Sequence, residues 1–66
     1  MDIYLNGEIR RTAGARTVAE LLAELGVEAC NVAVVVNDAV VPRGDQERAA
    51  IAENDRVELL VFAGGG

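Results

Sequence analysis

The chain opens on an alternation of polar and apolar residues, Asp2-Ile3-Tyr4-Leu5, that stops at Asn6-Gly7. Alternation with period two predicts a strand with one buried face. Asn-Gly predicts a two-residue hairpin turn, because both turn positions need positive φ and these residues tolerate it. Residues 8–12 then read as the returning strand, with Ile9 its inward residue. After a short loop the spacing changes. Val18, Leu21, Leu22 and Leu25 recur at i, i+3, i+4 and i+7, which is one stripe of a helix. Thr17 is placed to cap its first turn, with Glu20 three residues on to complete a capping box. Gly26 is placed to end it in the left-handed conformation. Residues 32–36 are a β-branched run, Val-Ala-Val-Val-Val, that predicts a strand apolar on both faces. Asn37-Asp38 predicts a turn into a short strand that finishes at Pro42, whose missing N–H places it at a sheet edge. Residues 44–52 read as a loop with one helical turn. Residues 56–62 predict the last and most apolar strand.

The order is hairpin, helix, strand, short strand, final strand. One helix covers one face of a sheet of four or five strands, an α+β class. Placing the last strand beside the first, in parallel, at the centre of a mixed sheet gives the β-grasp arrangement. The element order also admits half of a ferredoxin-like fold or another small α+β roll. The expected organisation is a single folded unit over residues 1–62, followed by a glycine tail at 63–66.

Composition narrows the chemistry. The 66 residues are 52% apolar but hold one Phe, one Tyr and no Trp. The core must therefore come from Val, Leu, Ile and Ala, and in a domain this short it is thin. His, Ser and Lys are all absent. This removes the Ser-His pair, the Lys Schiff base and the usual base at neutral pH. Cys30 is the one thiol, so it forms no internal disulfide, and without His it makes a poor metal ligand set. Its expected place is in the apolar interior; the alternative is a reactive thiol. The net charge of −5 repels nucleic acid and attracts basic partner surfaces. No apolar run reaches the ~20 residues that span a bilayer, and there is no leader peptide pattern. The expected location is the cytoplasm, with no membrane partner.

The remaining reactive group is at the end. Gly64-Gly65-Gly66 follow the apolar strand. Glycine has no Cβ, so such a tail can thread a narrow channel and leaves its terminal carbonyl carbon open to attack. Residues 63–66 reach about 13 Å at ~3.3–3.6 Å each. Ordering them costs about 1–2 kcal/mol per residue, which contacts on the folded body must offset. The competing reading is an inert, frayed terminus.

Several stretches together resemble the ubiquitin-like sulfur carrier proteins, and within them the ThiS family of bacterial thiamine biosynthesis. They are Asn6-Gly7 after the first strand, Thr17-Val18-Ala19-Glu20-Leu21-Leu22, Val34-Val35-Val36-Asn37 leading into Val40-Val41-Pro42-Arg43, Asn54-Asp55-Arg56-Val57-Glu58, and the terminal glycines. The chain departs from the family pattern in having Asn54 where Gly is common, and in having three closing glycines where two are needed. The resemblance implies a carrier, not an enzyme. It implies that an adenylating partner uses MgATP to activate the Gly66 carboxylate, with Gly65 and Gly66 as the essential pair and Gly64 as spacer. A sulfur donor then converts it to a thiocarboxylate for thiazole formation. The implied partners are a ThiF-like adenylyltransferase, a sulfur donor protein and a thiazole synthase, with no resident cofactor or metal. Two alternatives stand: the small subunit of molybdopterin synthase, which uses the same tail, and a non-covalent β-grasp binding module.

A docking patch is predicted beside the tail. Val57, Leu59 and Val61 share one face of the last strand, and Leu60 and Phe62 the other. If the first set faces the helix, Leu60 and Phe62 are exposed, and Tyr4 joins them. Alternatively, a loop or the 42–48 segment covers them. Arg10, Arg11 and Arg43 carry no assigned role.

Overall fold

Asn6 and Gly7 have φ of 50° and 85°, the left-handed values that a two-residue hairpin turn requires. They join β1 (Asp2–Leu5) to β2 (Glu8–Arg11), antiparallel, with Leu5 opposite Glu8 and Tyr4 opposite Ile9. The computed structural model describes residues 1–61. Helix α1 (Val18–Leu25) begins where expected, with the Thr17 hydroxyl accepting the Glu20 N–H at 3.2 Å. The Glu20 carboxylate reaches one residue further back than a capping box requires and accepts the Arg16 N–H at 2.8 Å. Gly26, at φ 72°, ends the helix, and its N–H donates to the Ala23 carbonyl at 3.2 Å.

A single 3-10 turn (Ala29–Asn31) leads into β3 (Val32–Val36). Asn37 and Asp38, at φ 49° and 69°, turn the chain into β4 (Ala39–Val41), which stops before Pro42. Residues 44–52 are held in place by backbone groups. After a 3-10 turn (Arg43–Asp45), the carbonyls of Gln46 and Ala49 accept the N–H groups of Ala19 and Val18, each at 2.9 Å. These are donors that a helix start leaves without partners. The segment thus docks on the helix N-terminus and delivers Ile51 to the core. Strand β5 (Arg56–Val61) completes a five-stranded sheet in the order β2-β1-β5-β3-β4. It runs parallel to β1 and antiparallel to β3, at the centre of the sheet. This is the β-grasp arrangement.

The core lies between α1 and one face of the sheet. Val18, Leu21 and Leu22 of the helix meet Ile3, Val32, Val34, Val57 and Leu59 of the strands, closed off by Ala15 and Ile51. Each large aliphatic group buried here stabilises the fold by about 1.5–3 kcal/mol.

Three expectations are corrected. Ile9 is 69% exposed, not inward. The hairpin register sets it opposite Tyr4, so both lie on the face away from α1. Val61 has the core-facing parity but is 66% exposed, because the pairing of β5 with β1 ends at Leu5–Val57 and no strand among the described residues flanks Val61 on that side. Cys30 is exposed, not buried. It sits in the 3-10 turn before β3, where Ala29 packs toward the core and the Cys30 thiol donates to the Glu28 carboxylate at 3.7 Å.

Candidate functional site

The strand that carries the tail is fixed from both sides by asparagines. On one side, Asn37 Oδ1 accepts the Arg56 N–H at 2.9 Å, the Asn37 N–H donates to the Arg56 carbonyl at 2.7 Å, and Asn37 Nδ2 donates to Asp55 Oδ1 at 3.0 Å. The other Asp55 oxygen accepts the Ala52 N–H at 2.8 Å, which closes the turn before β5. Asn54 in that turn stands at φ 67°, a conformation that asparagine adopts more readily than most residues. On the opposite side, β1 pairs with β5 through Tyr4 N–H to Asp55 carbonyl and Asn6 N–H to Val57 carbonyl, both 2.9 Å. The chain then turns away. Asn6 Oδ1 takes the place of the next backbone carbonyl and accepts the Leu59 N–H at 2.8 Å.

These side chains were missed as site elements. Asn6-Gly7 was legible as a turn from local preference alone. That the same carboxamide reaches residue 59 depends on β5 lying beside β1, which only the assembled sheet shows.

The sheet face away from α1 has no covering element among the described residues. The 42–48 segment that was an alternative cover lies on the other side, where Arg43, Gly44, Gln46 and Glu47 border the helix residues Ala19, Leu22 and Ala23. Leu60 is 54% exposed and Tyr4 is 39% exposed. Both lie on the open face, as do Ile9 and Val40 by their registers with Tyr4 and Val35. Tyr4 is opposite Arg56, while Leu60 is opposite Ala33. At about 3.3 Å of rise per residue, the two are some 13 Å apart along β5, with Glu58 between them. Tyr4, Asn6, Gly7, Arg56, Val57 and Glu58 border a shallow depression of about 450 Å³ on this face. Arg56 is drawn toward the β3–β4 turn by an ion pair with Asp38 at 3.3 Å. Phe62, Gly64, Gly65 and Gly66 lie outside the described residues. Among those described, no three His, Cys, Asp or Glu side chains gather in a way that holds a metal ion, and no helix is long and apolar enough to cross a membrane.

A model of the ThiS family matches residues 3–66. The chain belongs to the ThiS family. Its likeness to known proteins falls into two groups. All 66 residues align at 39% identity with the thiazole synthase of Paramagnetospirillum magneticum, and at 41% with that of Magnetococcus marinus. The chain spans only 20% of the length of each of these relatives. It aligns at 29% identity, over the whole of both chains, with the sulfur carrier protein ThiS of Escherichia coli. Among solved structures, the crystal structure of the thiamine biosynthesis protein ThiS from Geobacter metallireducens matches with a TM-score of 0.84 and 36% identity over 100% of both chains. Its solution structure matches with a TM-score of 0.81 and 36% identity, over 100% of this chain and 88% of the other. The family match runs through the glycine tail, so the folded body and the tail are matched together.

Proposed function

We propose that this chain is the sulfur carrier for thiazole formation in thiamine biosynthesis, with the carboxylate of Gly66 as its reacting group. The observation that supports it most is the ThiS family match over residues 3–66, which takes in the three closing glycines. The side-chain inventory agrees. With no His, Ser or Lys in 66 residues, the chain has no Ser-His pair and no Lys to form a Schiff base, so a role for its backbone carboxylate competes with few side-chain chemistries.

The chemistry divides between this chain and an adenylating enzyme. A carboxylate is a poor acyl donor because its leaving group would be an oxide. Attack of a Gly66 carboxylate oxygen on the α-phosphate of MgATP expels pyrophosphate and gives an acyl-adenylate. A sulfide-level sulfur then adds to the carbonyl carbon, AMP leaves with the electron pair of the broken C–O bond, and a thiocarboxylate results. The chain consumes no cofactor of its own, and MgATP belongs to the partner. It acts as a co-substrate and not as an enzyme. A ThiF-like adenylyltransferase, a sulfur donor protein and a thiazole synthase are the partners. The two relatives named thiazole synthase support the last of these, because a domain like this chain forms part of each.

The folded body presents the tail. The asparagine bonds hold β5 at the sheet centre, so the strand leading to the glycines has a fixed direction up to Leu59. Leu60 and Tyr4 on the open face, together with Phe62, supply apolar contact to the partners. Gly64 and Gly65 give the approach to Gly66 its slimness.

Complementation tests this reading. The chain is expected to restore growth of a strain that lacks its own thiazole sulfur carrier on medium without thiamine. A variant with one Trp appended after Gly66 is expected to fail while folding normally. Growth on the appended variant, with the added residue still present by mass, would overturn the assignment of Gly66.

A further inference from the structure

The hydrogen bonds of β5 alternate along its length, and this alternation leaves one place unfilled. The carbonyls of Asp55 and Val57 and the N–H of Leu59 point toward β1, where they meet Tyr4, Asn6 and the Asn6 side chain. The carbonyl of Arg56 points the other way, to β3. In an extended strand successive residues alternate in this manner, so Glu58 and Leu60 face β3, and Val61 faces the β1 side. Val61 stands opposite Val32 in the antiparallel ladder, a pair whose backbone groups point away from each other. On the β1 side the ladder has already ended, because the chain turns at Asn6-Gly7 and the pairing stops at Leu5–Val57. The Leu59 carbonyl and the Val61 N–H therefore face an open lane, with no backbone partner among the described residues.

The sequence does nothing to close this lane. Exposed strand edges are normally blunted by charge, by proline or by a covering element. Here the segment is Leu59-Leu60-Val61. Leu60 is 54% exposed on one face and Val61 is 66% exposed on the other. By contrast, the outer edge strand β2 carries Glu8, Arg10 and Arg11, and β4 stops at Pro42.

We propose that this lane is a strand-addition site, filled by an extended segment of the enzyme that adenylates Gly66. The inference rests on the carrier reading above. The occupant follows from chain length. Five residues follow Val61, and their covalent limit is about 18 Å at ~3.6 Å each. Any enzyme acting on the Gly66 carboxylate must therefore stand within that distance of Val61. An added strand gains main-chain hydrogen bonds from the Leu59 carbonyl and the Val61 N–H, and its side chains meet Leu60 and Val61 on alternate faces. Asn6 defines where the lane begins, since its carboxamide occupies the rung before it.

Chemical synthesis of the chain with a backbone N-methyl group on Val61 tests this. The change removes one donor and fills the lane without touching a side chain. The free protein is expected to unfold at an unchanged temperature, because nothing among the described residues occupies that lane. Its affinity for the adenylating enzyme is expected to fall at least tenfold, from the lost hydrogen bond and the steric block. The same group on Leu60, whose N–H faces β3, is expected to lower the unfolding temperature of the free protein. If N-methyl-Val61 binds as tightly as the unmodified chain, the site is wrong. If it unfolds early, the lane is not open. Self-association of the unmodified chain that disappears on N-methylation of Val61 would assign the lane to a second copy and also overturn the proposal. If the unmodified chain is bound but never adenylated, the carrier reading fails instead.

Discussion

Replacing Asn6 separates two roles that one side chain plays. Asn6 holds a left-handed turn position at φ 50°, and its Oδ1 accepts the part-buried Leu59 N–H at 2.8 Å. Asn6→Gly keeps the turn, since glycine adopts positive φ without strain, but it removes the acceptor. A buried donor left without a partner costs about 1–3 kcal/mol, and the added freedom of the unfolded chain costs about 0.5–1 kcal/mol more. The Leu59 N–H is only part-buried, so the lower part of these ranges applies and the expected loss is about 2 kcal/mol. In a domain of this size each kcal/mol moves the midpoint by about 4–8 °C, so the midpoint is expected to fall by about 8–16 °C. Asn6→Asp keeps both an acceptor oxygen and tolerance of the left-handed region, and is expected to stay within about 0.5 kcal/mol of the parent. Thermal and urea unfolding of the three proteins measure the difference, and amide exchange locates it. Protection of the Leu59 amide is expected to drop in the glycine variant and to persist in the aspartate variant. Equal stability of the two variants, with equal protection at Leu59, would show that the carboxamide does not anchor β5.

Other perturbations probe the core and the surface. Leu21→Ala opens a void under the sheet, where Leu21 is fully buried, and is expected to cost about 2–5 kcal/mol in urea unfolding; a loss under 1 kcal/mol contradicts the packing described. Leu60→Asp changes a residue 54% exposed, so stability is expected to hold within about 0.5 kcal/mol while titration against an adenylating partner shows weaker binding. Unchanged affinity removes Leu60 from the docking face. Cys30 is exposed, and iodoacetamide is expected to label it in the native protein as fast as in urea; protection that is lost only on unfolding contradicts its placement. The ion pair of Arg56 with Asp38 lies on the surface, with side chains 64% and 77% exposed, so Asp38→Asn is expected to change stability by less than about 1 kcal/mol.

Much of this architecture is written in local signals. Asn6-Gly7, the stripe from Val18 to Leu25, Gly26 and Pro42 each act through a conformational preference of the residue itself, and each stands where that preference requires. The errors came where a residue's environment depends on a neighbour far along the chain. Ile9 is the one apolar residue between Asn6 and Thr12, so alternation alone drew it inward. A two-residue turn, however, sets it opposite Tyr4, and a face that exposes Tyr4 must also expose Ile9. Cys30 resembles an interior residue by composition, but the turn before β3 gives the inward position to Ala29. Val61 has the right parity for the core, and parity says nothing about whether a neighbouring strand extends that far. Of the site, the exposure of Leu60 was legible, from parity against the helix. The Asn6 and Asn37 bonds to β5 were not, because they join residues 53 and 19 positions apart and exist only once the strands have taken their order.

The central claim is that reactivity resides in the terminal carboxylate and not in any side chain. Intact mass spectrometry after incubation with MgATP, an adenylating enzyme of the family and sulfide tests it directly. Exchange of one oxygen for sulfur is expected to add about 16 Da, a shift set by atomic masses, and fragmentation is expected to place all of it on Gly66. A mass that stays unchanged with an enzyme proven active on another carrier, or a shift that maps to Cys30, contradicts the account.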